Sequence, residues 1–334
     1  MRPIVSLDFP LFVKWYITSR CNLRCSHCYL KDYSQQAEHT QIIPIIDYLG
    51  KNGVQGVVLI GGEPLTRSDL EAVAERLMHH GIGLKVATNA ILATKTRARS
   101  LVSSGAKRFQ VSVEGASAVD NDPIRGKGTF EQILIGAGNL QEAGGEVALA
   151  VTVTRHNYRR IPEIFHMIDQ LGISKVKFNA FIPIGTGAAL TSEHALTSSI
   201  CREAGELIAS GGTRFPGIAV EAGAFYQTIR IERRKDADQP TLGCGAGTSS
   251  LIINSDLTLS ACDMLVETDR TSKPINSPND IGAFWRENAL FQKWRGIPDD
   301  KNPTEAAEFS QVHQHGCHVA YRAYGKNIFR YGCK

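Results

Sequence analysis

Three of the eight cysteines in this 334-residue chain lie in one short segment, "RCNLRCSHCYL", at residues 20–30. They are Cys21, Cys25 and Cys28, and thiolates this close together can share a soft metal centre. Three protein ligands leave one position of a four-site centre open, and an open position is where chemistry takes place. The spacing therefore favours an open iron–sulfur site. A structural zinc loop that uses His27 as a fourth ligand is the alternative.

Glycine and polar residues follow the other strand-like runs of the chain. The segments are GGEPL at 61–65, TNA at 88–90, SVEG at 112–115, TRHN at 154–157 and PIGTG at 183–187. Each segment alone is typical of a turn. Together they lie where a parallel α/β fold gathers its active site, at the carboxyl ends of its strands. Glycines let the backbone approach a ligand closely, and Glu63 offers a carboxylate for an amine.

The elements that must position these residues alternate regularly. Strand-like runs span 11–18, 56–60, 84–88, 108–113, 147–153 and 175–182. Helical apolar spacing spans 39–50, 67–79, 94–104, 129–143, 159–171 and 193–209. This alternation predicts an α/β fold with a parallel sheet covered by helices. Six such units fit either an open doubly wound sheet or an incomplete barrel, and composition does not choose between them.

The bulk composition is that of a soluble globular protein, with 43% hydrophobic and 21% charged residues. The formal charge is only +4, and no basic stripe is interleaved with aromatic residues, so nucleic-acid binding has no support. No apolar run reaches the length of a membrane span, and the N-terminus lacks a signal-peptide pattern. We expect a cytoplasmic protein with no membrane partner, since clustered cysteines in a reducing compartment hold metal more often than they form disulfides.

The motifs and their order resemble those of radical S-adenosylmethionine (radical SAM) enzymes. The combination is CxxxCxxC after the first strand, GGEP after the second, TNA after the third and S-x-E-G after the fourth, and it covers roughly residues 12–190. The resemblance implies an incomplete (βα)6 TIM-like barrel. It also implies a 4Fe-4S cluster on Cys21, Cys25 and Cys28, whose fourth iron site binds S-adenosylmethionine.

The same resemblance implies which residues contact the cofactor. His27 takes a position, usually aromatic, near the adenine, and the GGE segment of Gly61, Gly62 and Glu63 would hold the methionyl amino group. The positions that match contacts to the ribose and carboxylate are Thr88, Asn89, Ser112 and Glu114. Arg125 and Asn157 are weaker matches on the cofactor or substrate side. The family more often has aspartate where Glu114 stands, so this carboxylate is one methylene longer.

A second set of cysteines lies near the C-terminus, at Cys244, Cys262, Cys317 and Cys333. Residues 244–262 read as strand, turn and strand, which predicts a hairpin. Beside a radical SAM barrel this arrangement resembles a twitch or SPASM module and implies one auxiliary 4Fe-4S cluster on these four cysteines. A zinc site that uses some of His313, His315 and His318 is the alternative. Cys201, alone on a predicted helix, is expected to be an ordinary buried thiol.

The chain is thus expected to comprise a radical SAM barrel (1–190), a linking helix (191–214) and an auxiliary-cluster module (215–334). The resemblance implies an oxidoreductase that cleaves S-adenosylmethionine to a 5′-deoxyadenosyl radical, removes a hydrogen atom from a substrate and oxidises it further through the auxiliary cluster. The expected substrate is a ribosomally made peptide or a small natural-product intermediate. A sugar, nucleoside or tetrapyrrole dehydrogenase or decarboxylase is the alternative within the family. A zinc-stabilised, non-catalytic binding protein is the alternative of another class.

The expected partners follow from this chemistry. The reaction needs an external electron donor of the flavodoxin or ferredoxin type. Peptide-modifying members of the family often carry a leader-binding domain ahead of the barrel, whereas the first strand here begins near residue 11, so a separate leader-binding protein is expected for a peptide substrate. Tyr321 and Tyr324 are candidates for a late hydrogen-atom donor.

Overall fold

The computed structural model of the protein describes residues 7–223, 225, 245–296, 317–325 and 328–329. Within these residues the strands form a single sheet. They are β1 (Phe12–Thr18), β2 (Gly56–Gly61), β3 (Gly83–Thr88), β4 (Arg108–Val113), β5 (Glu146–Val153), β6 (Lys175–Ala180), β7 (Ala219–Glu221), β8 (Ser250–Ile253) and β9 (Leu259–Ser260). Their order across the sheet is β7-β6-β5-β4-β3-β2-β1-β8-β9. Every neighbouring pair is parallel except β8 and β9.

Helices connect the successive parallel strands from β1 to β7, and others follow β9. They are α1 (His39–Lys51), α2 (Leu70–His79), α3 (Lys95–Ser103), α4 (Ala118–Arg125), α5 (Thr129–Glu142), α6 (Ile161–Gln170), α7 (Thr191–His194), α8 (Ser198–Arg214), α9 (Asp280–Glu287), α10 (Ala289–Trp294) and α11 (His318–Tyr324). Short 3-10 turns lie at Pro64–Thr66, Tyr158–Arg160 and Gly185–Leu190. The predicted α/β fold with a parallel sheet is confirmed, because parallel strands require such crossover connections.

The two faces of the sheet are chemically different. Trp15 of β1 is completely buried in the core that the strands share with the helices, and Phe178 of β6 packs on Phe165 of α6 with ring centroids 5.6 Å apart. Side chains alternate along a strand, so Lys14 and Lys177 lie on the opposite, inner face. The helix-covered face therefore supplies the main hydrophobic core, and the inner face carries polar groups.

Two helices differ from the sequence prediction. No helix was predicted between the strand at 108–113 and the helix at 129–143, yet α4 runs from Ala118 to Arg125 with Pro123 inside it. The helix expected at 193–209 instead begins at Ser198, because the hydroxyl of Thr197 accepts a hydrogen bond from the backbone N–H of Ile200 and caps it.

The predicted C-terminal hairpin is present as β8 and β9. The amide of Asn254 donates to the hydroxyls of Thr258 and Ser260 at 2.9 and 3.0 Å, which closes the turn between the strands. β8 also pairs in parallel with β1, and β7 extends the opposite edge beside β6. The C-terminal segment thus continues the sheet of the N-terminal one. The domain boundaries expected near 190 and 215 stay predictions.

Candidate functional site

The loop after β1 carries Cys21, Cys25 and Cys28, all half-buried. Two neighbouring elements hold the loop in place. The backbone N–H of Ser26 donates to the carbonyl of Ile124 in α4 at 2.9 Å. Thr186, in the PIGTG segment after β6, donates both its backbone N–H and its hydroxyl to the carbonyl of Cys28, at 2.9 and 3.0 Å. The three thiols therefore lie on a loop that is held in place by hydrogen bonds to α4 and to the segment after β6.

The two glycines of the GGEP segment let the end of β2 approach this loop. A side chain at Gly61 would collide with the carbonyl oxygen of Thr18, and one at Gly62 would collide with that of Arg20. The backbone N–H of Gly62 instead donates to the carbonyl of Thr18 at 2.9 Å. The sequence analysis assigned these glycines to close approach of a ligand. In the structure the approach is to the start of the cysteine loop itself.

Glu63 lies at the centre of a buried hydrogen-bonded group. Its carboxylate accepts hydrogen bonds from the backbone N–H of Leu65 (3.0 Å), the hydroxyl of Thr88 (2.7 Å) and the backbone N–H of Asn89 (2.6 Å). The side-chain amide of Asn89 donates to Asn22 in the cysteine loop at 2.9 Å. Burial raises the pKa of Glu63, while the hydrogen bonds act in the opposite direction. Three donors use three of the roughly four acceptor positions of a carboxylate, which leaves capacity for an incoming cation.

Glu114, at the end of β4, has a different environment. Its Oε1 accepts hydrogen bonds from Nε and Nη2 of Arg125, at 2.9 and 2.5 Å, and lies 3.2 Å from Nε2 of His27. Burial alone would raise the pKa of the Glu114 carboxyl, but the Arg125 guanidinium and His27 outweigh burial and lower this pKa to about 2. Arg125 also places Nη1 3.9 Å from Sγ of Cys25. The site therefore contains a compensated ion-pair group beside one of the thiols.

Asn157 joins the loops that follow β4 and β5. Its side-chain N–H groups donate to the carbonyls of Glu114 and Thr152, both at 2.8 Å, and its side-chain oxygen accepts from the backbone N–H of Thr154 at 2.7 Å. All of these bonds are within the protein, so Asn157 positions the Glu114 group. Ser112 lies half-buried on the inner face of β4, two residues before Glu114.

The sequence-predicted residues thus form two groups around the cysteine loop. One surrounds Glu63 and lies near Cys21, whose thiol pKa is raised to about 11, mainly by burial and with the Glu63 charge acting in the same direction. The other surrounds Glu114 and lies near Cys25, where burial also raises the thiol pKa and Arg125 acts to lower it. Thiolates in such a buried loop need positive charge beside them.

The donor set of this loop fits an iron–sulfur cluster. Three thiols share one loop, and Arg125 adds a positive charge beside Cys25. In the zinc alternative His27 would supply the fourth ligand, yet its Nε2 is directed to Glu114. Thiolate ligands from three cysteines alone leave the open position that a cofactor-binding cluster requires.

A cavity of about 440 Å³ opens beside the Glu114 group, in the size range of small-ligand sites. It is lined in part by His27, Ile124, His156, Asn157 and Phe181. Within the described part of the chain, Nδ1 of His27 is buried without a hydrogen-bond partner. This nitrogen is therefore available to a ligand, and the position of His27 near an adenine stays a prediction.

The sequence analysis missed a histidine-rich group at the rim of this cavity. The ligand atoms of His156, Glu193 and His194 all lie within 4.8 Å of one another, close enough to hold a metal ion. Burial and the neighbouring His156 lower the pKa of His194. His156 stands in the TRHN segment, whereas Glu193 and His194 belong to the four-residue α7, which the sequence prediction had included in one helix at 193–209.

Two cysteines of the second set lie near the first. Cys262 is buried just after β9, and Cys317 is half-buried at the start of α11. Burial raises the pKa of Tyr29, and the charges of Asp263, Cys262 and Cys317 raise it further. Both cysteines therefore act electrostatically on the phenol of Tyr29, the residue that directly follows Cys28. Cys244 and Cys333, the other predicted ligands, lie outside the described residues.

The remaining sequence candidates have clear positions. Cys201 is fully buried on α8 and burial raises its thiol pKa to about 12, so the expected buried thiol is confirmed. His318 is buried with its ring 5.5 Å from that of Trp294, whereas His313 and His315 lie outside the described residues. The Tyr324 hydroxyl donates to the carbonyl of Phe181 at 2.7 Å, while Tyr321 is 42% exposed.

Comparison with known proteins identifies the class to which this site belongs. Residues 15–168 match the sequence profile of the Radical SAM superfamily. The mycofactocin maturase MftC of Mycolicibacterium smegmatis is 28% identical over 293 residues, which cover 86% of this chain and 73% of the maturase. The AdoMet-dependent heme synthase of Nitratidesulfovibrio vulgaris is 25% identical over 316 residues, which cover 90% of this chain and 85% of the synthase.

The chain therefore contains a radical SAM domain, and the resemblance seen in its motifs is confirmed. The protein with this domain is an enzyme, and its cofactors are S-adenosylmethionine and a 4Fe-4S cluster. The similarity to the maturase also agrees with an auxiliary cluster as a further cofactor.

A solved structure shows the same fold. SuiB of Streptococcus suis, bound to its precursor peptide SuiA, superposes with a TM-score of 0.75 over 97% of this chain and 75% of the SuiB chain. At 17% sequence identity the likeness concerns the fold, and it settles the choice left open by composition in favour of the incomplete barrel. None of the helices in the described part of the chain combines the length and the apolar character that a membrane crossing requires.

Proposed function

We propose that this chain is a radical SAM oxidoreductase that holds its catalytic cluster on Cys21, Cys25 and Cys28. The observation that carries the proposal is the fixed loop with three half-buried thiols between two buried carboxylates, Glu63 and Glu114. A cluster at this site supplies the electron for reductive cleavage of S-adenosylmethionine, whose 5′-deoxyadenosyl fragment then removes a hydrogen atom from the substrate.

Different residues around the loop bind different parts of the cofactor in this proposal. Glu63 has no cationic side chain among its hydrogen-bond donors, so it accepts the methionyl ammonium with Gly61 and Gly62 beside it. Thr88 and Asn89 keep the Glu63 carboxylate in place. His27 donates or accepts through Nδ1 towards the adenosyl group in the 440 Å³ cavity.

The Glu114 group has a supporting role in this proposal. Because the pKa of Glu114 is lowered to about 2, the carboxylate is ionised at neutral pH and keeps Arg125 charged beside Cys25. Asn157 fixes the backbone on which Glu114 stands. Ser112 carries an inner-face hydroxyl on the same strand as Glu114. It completes the group of residues proposed to contact the ribose and carboxylate of S-adenosylmethionine.

The second cysteine set is proposed to hold one auxiliary 4Fe-4S cluster. Cys262 and Cys317 lie around Tyr29, and Cys244 and Cys333 complete the ligand set. Such a centre accepts the second electron when a substrate radical is oxidised, so an oxidative product is favoured over an isomerised one. The clustered cysteines support a reducing cytoplasm with a flavodoxin- or ferredoxin-type electron donor.

The proposed substrate is a ribosomally made peptide. This proposal is supported by the likeness to mycofactocin maturase and to the fold of SuiB, which was solved with a precursor peptide. A separate leader-binding protein would then deliver the peptide. A small natural-product intermediate is the second candidate, because a heme synthase is similar over 90% of the chain.

Anaerobic reconstitution tests this function. We expect an oxygen-sensitive brown protein with about eight irons per chain, as two 4Fe-4S clusters require. With a substrate in hand, 5′-deoxyadenosine should form in proportion to a product that has lost hydrogen. A product of unchanged mass with S-adenosylmethionine regenerated would contradict the oxidative proposal. A colourless zinc protein would contradict the enzyme proposal as a whole.

A further inference from the structure

A group of metal-ligating side chains lies at the rim of the 440 Å³ cavity. His156 stands in the loop after β5, and Glu193 and His194 stand at the end of α7. All three residues line the cavity, and their ligand atoms lie within 4.8 Å of one another. The cofactor binding described above uses none of them.

Two segments that are distant in the sequence bring these side chains together. The backbone N–H of Arg155 donates to the carbonyl of His194 at 3.2 Å, which joins the loop after β5 to the end of α7. The backbone N–H of His156 donates to the hydroxyl of Thr154 at 3.2 Å, so the loop is also held from within. The imidazole rings of His156 and His194 meet edge to face, with centroids 4.7 Å apart. The fold itself therefore sets the spacing of the group.

The three side chains converge without bonding to one another. Among the described residues, no hydrogen bond or ion pair joins His156, Glu193 and His194, although imidazole and carboxylate groups readily form both. In the same part of the chain, Nδ1 of His194 is shielded from solvent and has no hydrogen-bond partner. Their ligand atoms are thus too far apart for direct bonds and close enough to share one ion. Polar groups that converge in this way point to a ligand between them.

The donor set selects the kind of ion. Two imidazoles and one carboxylate are the ligands of zinc sites that keep an open position, whereas calcium and magnesium prefer oxygen ligands. Ligands at about 2.0–2.1 Å from a tetrahedral zinc lie about 3.4 Å apart, so the 4.8 Å group must contract by up to about 1.4 Å. His156 and Glu193 are exposed, and rotation about their side-chain bonds closes this gap.

We propose that His156, Glu193 and His194 bind one zinc ion at the rim of the cavity. Three protein ligands leave the fourth position of the ion open, beside the cavity that all three residues line. A water molecule, or a donor group such as a carboxylate on a molecule in the cavity, completes the coordination. This site goes beyond the proposed function, because it requires neither the cysteine-bound cluster nor S-adenosylmethionine.

Zinc binding to the holoenzyme tests this inference. The experiment uses the anaerobically reconstituted full chain without an affinity tag, so that iron occupies the cysteines and no added histidines bind zinc. We expect equilibrium dialysis against zinc chloride to show one bound zinc per chain, with a dissociation constant below about 1 μM. X-ray absorption at the zinc edge should show nitrogen and oxygen ligands at about 2.0–2.1 Å, whereas zinc on cysteines shows sulfur at about 2.3 Å.

Variants locate the ion. Because loss of a group that only supports a metal ligand already weakens affinity about 10–100-fold, His194→Gln and Glu193→Gln should each weaken zinc binding at least about tenfold. The double variant His156→Gln/His194→Gln should lose the bound zinc. The matched control is His79→Gln on α2, where His79 is exposed and its ring lies 5.4 Å from that of His80, and it should keep the wild-type affinity. Thermal unfolding of each variant establishes that it is folded.

Four results would overturn the inference. They are a wild type that binds no zinc, a zinc shell that contains sulfur alone, wild-type affinity in the double variant, and displacement of the zinc by an equal concentration of magnesium. A wild type that binds this zinc but does not cleave S-adenosylmethionine would refute the proposed function and support the zinc site. One that cleaves S-adenosylmethionine but binds no zinc would do the reverse.

Discussion

Two buried carboxylates flank the cysteine loop, and they are held in opposite ways. Glu63 receives its hydrogen bonds from two backbone N–H groups and a hydroxyl, and burial raises its pKa. Glu114 faces Arg125 and His27, and its pKa is lowered to about 2. A carboxylate without a cation is prepared to receive one, whereas a carboxylate already paired acts as part of the scaffold. From this comparison we propose that Glu63 binds the cofactor and that Glu114 positions the site.

The largest effect on stability should come from breaking the Glu114 pair. Arg125→Met removes the cation and leaves a buried carboxylate uncompensated, which costs about 3–5 kcal/mol of the free energy of unfolding. Urea unfolding of the apoprotein measures this loss. Arg97→Met, which removes a half-buried arginine from an ion pair with Glu71, is the matched control and should cost much less. A loss below about 1 kcal/mol for Arg125→Met, which is the value of a surface ion pair, would contradict the structural role of Glu114.

Replacing the other carboxylate should mainly affect cofactor binding. Glu63→Gln removes the charge that would meet the methionyl ammonium. It also places a side-chain N–H opposite one of the hydrogen-bond donors that bind the Glu63 carboxylate, which costs about 1–3 kcal/mol in stability. We expect S-adenosylmethionine to bind the reconstituted variant at least about tenfold more weakly, or about 1.4 kcal/mol. Equilibrium dialysis measures this affinity. An unchanged affinity would contradict the assignment of Glu63, whatever the effect on stability.

The pH dependence of stability offers a smaller but direct contrast between the two groups. An unfolded glutamate has a pKa of about 4.3, and that of folded Glu114 is lowered to about 2. Its contribution is therefore fully present above about pH 4.3 and is lost as the pH falls towards 2. The raised pKa of Glu63 has the opposite sign, so its ionisation destabilises the fold as the pH rises through its titration range.

Urea unfolding of the apoprotein between about pH 2 and 6 separates these contributions, since that range spans both ordinary and shifted carboxyl pKa values. The wild type should lose more stability than Glu114→Gln as the pH falls, and the two should converge towards pH 2. Parallel profiles for the two proteins would contradict the lowered pKa and with it the strong pairing to Arg125.

The sequence was most informative where a motif is local. The cysteine loop and the GGEP segment each lie within a few residues, and the strands before them follow from alternating buried positions such as Val57 and Leu59. The fold class was predictable for the same reason. The role of the glycines was only partly predictable, because the contact of Gly61 with Thr18 joins different strands.

Features that depend on contacts across the sheet could not be predicted. Glu114 and Arg125 were both candidates, but their pairing requires α4, which Pro123 hides in the sequence. The inner-face lysines have a weak signal, a charged residue within an apolar strand, as at Lys85 in "GLKVAT". Only the order and register of the strands show that Lys85 and Lys177 lie on the same face of one sheet.

The central claim is that the thiols of Cys21, Cys25 and Cys28 hold the centre that breaks the sulfonium of S-adenosylmethionine. The most direct measurement is the rate of 5′-deoxyadenosine formation under dithionite after all three are changed to alanine, with the buried Cys201→Ala as the matched control. The account predicts that the triple variant forms none while the control keeps the wild-type rate. Undiminished formation by the triple variant would contradict it.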